Sequence, residues 1–109
     1  MMNTINRDLI TALNNCSTAC NFCTAACLGE VDVKMMVACI KLDIDCAAIC
    51  SLTANFIARN SVHGKHLLKE CVELCNLCAT ECEKHSHMQH CKQCAEACRS
   101  CEKACKAAL

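Results

Sequence analysis

The apolar positions of this chain recur at alternating steps of three and four residues, and most of them are cysteine. Cys16, Cys20, Cys23 and Cys27 step by 4, 3 and 4, and Cys71, Cys75, Cys78 and Cys82 repeat those steps. Cys91, Cys94, Cys98, Cys101 and Cys105 step by 3, 4, 3 and 4. Cys39, Cys46 and Cys50 join the same rhythm once Met36 and Asp43 are counted with them. A mean step of about 3.5 marks the inward seam of a helix in a bundle. Between the seam positions of the last run stand Lys92, Glu96, Arg99, Glu102 and Lys103, which belong on a solvated face. The pattern therefore predicts amphipathic helices whose buried stripe is thiol.

Punctuation is sparse and divides the chain cleanly. Gly29 with Asp32 makes one break, as a helix-ending glycine and an N-cap. Asn60, Ser61 and Gly64 make a second, and HSHMQH, from His85 to His90, a third. Four helical runs result, over 4–28, 32–60, 62–85 and 87–109, each about 22–29 residues or roughly 33–44 Å long. Short links between long helices favour antiparallel neighbours. The expected fold is all-α: an antiparallel up-down-up-down four-helix bundle with a Cys-lined core, in one domain spanning 1–109. Composition agrees, because the chain has no Pro, Trp or Tyr, two Gly and two Phe.

The halves repeat. A shift of 55 residues carries Cys16, Cys20, Cys23, Cys27, Cys39, Cys46 and Cys50 onto Cys71, Cys75, Cys78, Cys82, Cys94, Cys101 and Cys105. Cys91 and Cys98 alone lack a cysteine partner, and their counterparts are Met36 and Asp43. A duplicated helical hairpin follows, with Met and Asp in two thiol slots.

Followed outward, the seam has two different ends. One runs into Leu9, Leu13, Thr53, Ile57, Leu68 and Ala108, a largely apolar floor. The other runs into Met36, His85 and His87, with Met88 and His90 adjacent, a mouth bearing soft and borderline metal ligands. His63 and His66 fall at the floor end and read as surface residues. Helix two carries extra apolar positions, Ile40, Leu42, Ile44, Ile49 and Phe56, and helix one carries Phe22. They suggest a second buried face and self-association, against ordinary packing at the edges of the core.

Charge and targeting remove several function classes. Lys plus Arg equals Asp plus Glu, 11 each, so no basic face recommends nucleic acid. No run approaches the roughly 18 apolar residues of a membrane span. The opening MMNTINRDLITALNN has no uninterrupted apolar stretch and no twin arginine, so the cytosol is the expected compartment. There thiols stay reduced, and sixteen of them are better explained by soft metal than by crosslinking. No nucleophile–base pair or phosphate loop gives catalysis a foothold, so a binding protein rather than an enzyme is expected.

Geometry narrows the metal. Residues at i and i+4 on a helix hold their Cβ atoms roughly 5–6 Å apart, whereas a disulfide wants about 3.8 Å. Thiolate and thioether ligands select Cu(I), zinc or iron–sulfur clusters. Zinc takes four ligands, typically from knuckles on turns, and does not need continuous seams. The ferredoxin run C-x₂-C-x₂-C-x₃-C-P is absent. Multiple Cu(I) ions, each content with two or three bridging sulfurs, suit a tube of thiolates. One Cu(I) per thiolate is also neutral, and burying unpaired charge is costly. The expected load runs from about eight to about sixteen ions, plus a few at the mouth.

The candidate ligands are the sixteen cysteines, with His85, His87, His90, Met36 and Met88 at the mouth. The loop histidines read either as a loading site or as a polar link, and Met36 and Met88 as ligands or core filler. Asp43, a hard carboxylate, is expected to hydrogen-bond beside the thiols rather than ligate. An iron–sulfur electron carrier and a zinc or thiol reservoir stand as alternatives.

CxxxCxxCxxxC in helices one and three, CIKLDIDCAAIC in helix two and TECEKHSHMQHCKQCAEAC across the third link together resemble the cysteine-lined four-helix-bundle copper storage proteins, in their cytosolic bacterial branch. The resemblance covers nearly the whole chain. It implies Cu(I) storage inside the bundle, filling through the histidine end, often in tetramers, with copper and a copper donor or acceptor protein as partners. The branch that carries export signals has a Met-rich mouth; here the mouth is His-rich, with Met88 and Met36 added.

Overall fold

A computed structural model describes residues 4–109 of the chain. Four helices follow in order: α1 (Thr4–Leu28), α2 (Val37–Ala58), α3 (Gly64–Glu83) and α4 (Gln89–Ala107), with a 3₁₀ turn over Val33–Met36 before α2. They form an elongated bundle of 47 × 19 × 18 Å. Each helix packs against its two neighbours around the bundle, and diagonal partners face one another only across the core. Among the described residues there is no strand.

The helix ends differ from the sequence expectation in three places. Gly29 has no positive φ, so α1 does not stop on a left-handed glycine. It unwinds through tight bonds from the Gly29 N–H to the Ala26 carbonyl and from the Glu30 N–H to the Cys27 carbonyl, both 3.1 Å. The expected helix over 32–60 begins instead as the 3₁₀ turn, where the Asp32 side chain caps nothing and its carbonyl accepts from the Met35 N–H. At the second link Asn60 takes the left-handed role, with φ 55°. The Ser61 N–H reaches back to the Phe56 carbonyl at 3.0 Å, the long bond of a Schellman stop. Gly64, buried at the first turn of α3, has the Ile57 side chain 2.9 Å from where a Cβ would stand. A larger residue there would have to displace the tip of the Ile57 side chain, and the small Gly64 lets α3 pack closely against the end of α2.

All sixteen cysteines are buried. The floor closes under them as expected, with Leu9, Leu13 and Leu68 buried and Ile57 and Ala108 packed against them. Leu42 and Ile49 pack on the flank of the core. Phe22, Ile44, Leu52 and Leu77 stay exposed, so much of the extra apolar surface is on the outside of this chain. No helix among the described residues is long and apolar enough to cross a membrane.

Candidate metal centre

The 3.5-residue seams place one column of sulfurs on each helix, and the packing decides which columns meet. All sixteen thiols are free. Some contacts run along one helix, such as Cys23 to Cys27 at 3.7 Å, Cys46 to Cys50 at 4.0 Å and Cys101 to Cys105 at 3.9 Å. More of them cross the core. Cys16 on α1 has Cys46 at 3.8 Å, Cys98 at 3.7 Å and, on the diagonal helix α3, Cys75 at 3.9 Å. Cys50 on α2 reaches its own diagonal partner, Cys101, at 3.9 Å. Side chains thus bridge helices whose backbones do not touch.

The donor atoms gather into groups of four that lie within 4.8 Å of one another. All-thiol groups include Cys16, Cys46, Cys50 and Cys75; Cys16, Cys20, Cys46 and Cys98; and Cys20, Cys78, Cys94 and Cys98. They share members, since Cys16, Cys46, Cys20 and Cys98 each belong to two of them. Shared sulfurs are what a run of bridged soft-metal sites requires.

The distances also bear on coordination. With a metal–sulfur bond of about 2.3 Å, a linear pair needs sulfurs about 4.6 Å apart. Sulfurs 3.7–3.9 Å apart, as around Cys16 and Cys20, subtend roughly 110° at such a metal. As they stand, the thiols suit three or four sulfurs around an ion better than an isolated two-sulfur site on one helix.

Asp43, on α2, occupies one of the two slots of the repeat that hold no cysteine, Met36 in the preceding 3₁₀ turn being the other. Asp43 is fully buried. Its Oδ1 accepts from the thiols of Cys78 at 3.1 Å, Cys94 at 3.3 Å and Cys82 at 3.8 Å, and its Oδ2 accepts from Cys39 at 3.7 Å. Burial, with the Cys94 sulfur adding, pushes its carboxyl up to about 8. Cys23, Cys39, Asp43 and Cys82 form a further four-donor group. Among the thiols near the mouth, burial raises Cys91 to about 11. Hydrogen bonds from Cys23 and then Cys82 lower Cys39, whose sulfur lies 3.3 Å from that of Cys82.

The mouth is built around one histidine. His90, on the first turn of α4, turns Nδ1 toward the seam, 3.5 Å from Cys23 Sγ, 3.5 Å from Cys91 Sγ and 3.9 Å from Cys27 Sγ. The four make one donor group. On the ring's other side Nε2 lies 2.9 Å from Glu30 Oε1. A groove of about 380 Å³ between α1 and α4 reaches His90 and Cys94, with Phe22 beside it. His85 is buried with Nε2 3.5 Å from Glu81 Oε2. His87 is exposed, so the seam does not continue into it. The link folds as turns after Glu83, and its residues leave the helical register. Met36 is fully buried, and Met88 packs against the core at the start of α4. His63 and His66 are exposed at the floor end.

The turns after Glu83 set His90 rather than His87 over the thiols, whereas the sequence pattern placed His85 and His87 on the extended seam and His90 beside it. That pattern did not select Glu30. The one available signal was position, a carboxylate directly after Gly29 at the same end as the histidine loop. At the floor, Thr53 Oγ1 accepts from Cys71 Sγ at 3.1 Å and donates to the Ile49 carbonyl at 2.7 Å.

Known proteins share this fold. The family model described as copper storage protein matches residues 2–109. The uncharacterised cysteine-rich protein YhjQ of Bacillus subtilis (strain 168) is 38% identical over 98 residues, 90% of each chain. A solved structure described as Cu(I)-bound copper storage protein BsCsp3 is 36% identical, with a TM-score of 0.90 over 95% of this chain and 97% of that one. A cytosolic copper storage protein from Streptomyces lividans, solved with five coppers, is 38% identical, with a TM-score of 0.91 over 94% of this chain and 90% of that one.

Proposed function

The chain belongs to the copper storage protein family, and on that premise we propose how it takes up and holds its cargo. Its function is the binding and storage of Cu(I) by the thiols of the bundle core. The sixteen cysteines are the storage ligands. Cys16, Cys20, Cys46 and Cys98 bridge between neighbouring ions, and the overlap of their four-sulfur groups is the observation that carries this reading. Each ion displaces thiol protons, and one ion per thiolate leaves the core neutral.

Loading runs through the histidine end. His90, set over Cys23, Cys27 and Cys91, takes Cu(I) from a donor and passes it inward. His85 and Met88 line the approach, with Met36 at the top of α2 as a soft neighbour. His87, exposed, serves at most as an outer ligand. Leu9, Leu13 and Leu68 give the opposite end an apolar floor without metal ligands of this kind. The chain acts as a reservoir without turnover, in the cytosol, the compartment described for the Streptomyces relative. Exposed Phe22, Ile44 and Leu77 supply apolar surface for self-association.

The test is anaerobic titration of the fully reduced chain with Cu(I), read as copper per thiol. The expected end point lies between about eight and about sixteen ions, the range set by soft-ligand bridging. Saturation at one or two ions would overturn storage, and a brown chromophore from expressed protein would point to iron–sulfur instead.

A further inference from the structure

We propose that Glu30 is a positioning residue for copper capture, holding His90 with Nε2–H outward and a bare Nδ1 facing Cys23, Cys27 and Cys91. The inference rests on the loading role of His90 and deepens it. Glu30 Oε1 lies 2.9 Å from His90 Nε2. An ionised carboxylate only accepts hydrogen bonds, so Nε2 is the protonated nitrogen. In a neutral imidazole the other nitrogen is then a lone pair. That nitrogen is the one turned to the thiols, at 3.5, 3.5 and 3.9 Å. An ion bonded to nitrogen at about 2.0–2.1 Å and to sulfur at about 2.3 Å spans 3.5 Å with an angle of roughly 107°. Ring and sulfurs therefore accept an ion with little movement.

The backbone fixes Glu30 in this place. Its N–H donates to the carbonyl of Cys27, itself one of the three facing thiol residues, at 3.1 Å. The turn that ends α1 thus ties the carboxylate to the same cluster that its partner histidine faces. The link is long in sequence, 60 residues, so it also pins the α1 end to the start of α4. Metal-bound histidines commonly carry such a carboxylate on the far nitrogen, which fixes tautomer and orientation and raises ligand basicity. Glu30 keeps its negative charge outside the ion's own coordination and so favours a cation at the mouth.

Two measurements on the full chain, reduced and free of metal, test this. With ¹⁵N-labelled histidine, a long-range ¹H–¹⁵N spectrum is expected to show His90 Nδ1 unprotonated and Nε2 protonated, its proton exchanging slowly. Glu30→Ala should speed that exchange, and Glu30→Gln, whose amide oxygen still accepts, should largely restore it. Loading from a Cu(I) chelator should slow about 10-fold in Glu30→Ala, the lower end of the usual cost of losing such a partner. Glu30→Gln should load close to wild type, and Glu30→Ala should retain its helical circular dichroism. A protonated Nδ1 in the wild type overturns the proposal. So does Glu30→Ala loading at the wild-type rate while His90→Ala is slow. If His90→Ala itself loads at the wild-type rate, the loading role of His90 is what fails, a result that does not involve Glu30. Should Glu30→Ala lose its helicity, the wild-type His90 spectrum and the Glu30→Gln rate decide.

Discussion

The carboxylate of Asp43 accepts a hydrogen bond from the Cys78 thiol at 3.1 Å, from α2 to α3, at a position where the repeat would set a cysteine. The same oxygen accepts from Cys94 on the diagonal helix at 3.3 Å. One carboxyl group therefore ties three helices together inside the core.

A pH dependence follows from that burial. The folded carboxyl titrates at about 8 against an ordinary 3.8, chiefly because burial penalises the ion. Between those values the folded chain holds a proton that the unfolded chain has lost, so stability falls as pH rises. The contribution is fully present below the unfolded value and is lost as pH climbs through the folded one. Urea unfolding of the reduced, metal-free chain from pH 4 to 8 should show this decline. Asp43→Asn, whose amide oxygen still accepts from the thiols, should remove that part of the slope. Parallel curves for the two proteins would count against a buried, protonated Asp43.

Cysteines should differ in what they hold. Cys98 contacts Cys16 and Cys20 at 3.7 Å and belongs to two four-sulfur groups, whereas Cys105, at the floor end of the seam, lies 3.9 Å from Cys101 and also interacts with Cys71. Cys98→Ser should lower the Cu(I) end point by more than one ion. Cys105→Ser should cost about one, as expected for a soft ligand that bridges less. Equal losses would mean that sharing of sulfurs does not set capacity.

Leu13 at the floor is fully buried. Leu13→Ala should destabilise the metal-free chain by about 2–5 kcal/mol, the usual cost of a cavity in a core. The copper-to-thiol ratio at saturation should not change, because no ligand is removed. Denaturant unfolding and the anaerobic titration, run on the same variant, separate the two effects.

The mouth histidines should separate as well. His90 faces three thiols and His87 faces solvent. His90→Ala should slow uptake from a Cu(I) chelator, and His87→Ala should leave the rate within about 2-fold, since exposed side chains away from a site contribute little. A slow His87→Ala would move the capture site out into the link.

Much of this was legible in the seams. A step of 3.5 residues states which face of a helix is inward wherever the helix continues, so every cysteine could be placed in the core from its neighbours. The register failed at the links. His85 to Met88 leave the helix and α4 restarts at Gln89, which exposes His87 and turns His90 inward. Asn60 was marked as a break, yet its left-handed backbone is the kind of feature that Gly29 was expected to supply. Nothing local singles out Glu30, because its partner lies 60 residues away.

The amino-acid sequence by itself determined the all-α class, the thiol-lined interior, the duplicated hairpin and the two unlike ends of the bundle. Each of these follows from periodicity, which a helix converts directly into a face. The tertiary structure alone decided which sulfurs meet, that diagonal helices touch through Cys16 and Cys75, that Asp43 gathers four thiols, and that His90 rather than His87 covers the core. Those relationships depend on how far each helix is shifted and turned against the others. That shift is set by side-chain packing and by the backbone of the links, neither of which leaves a repeating signal along the chain.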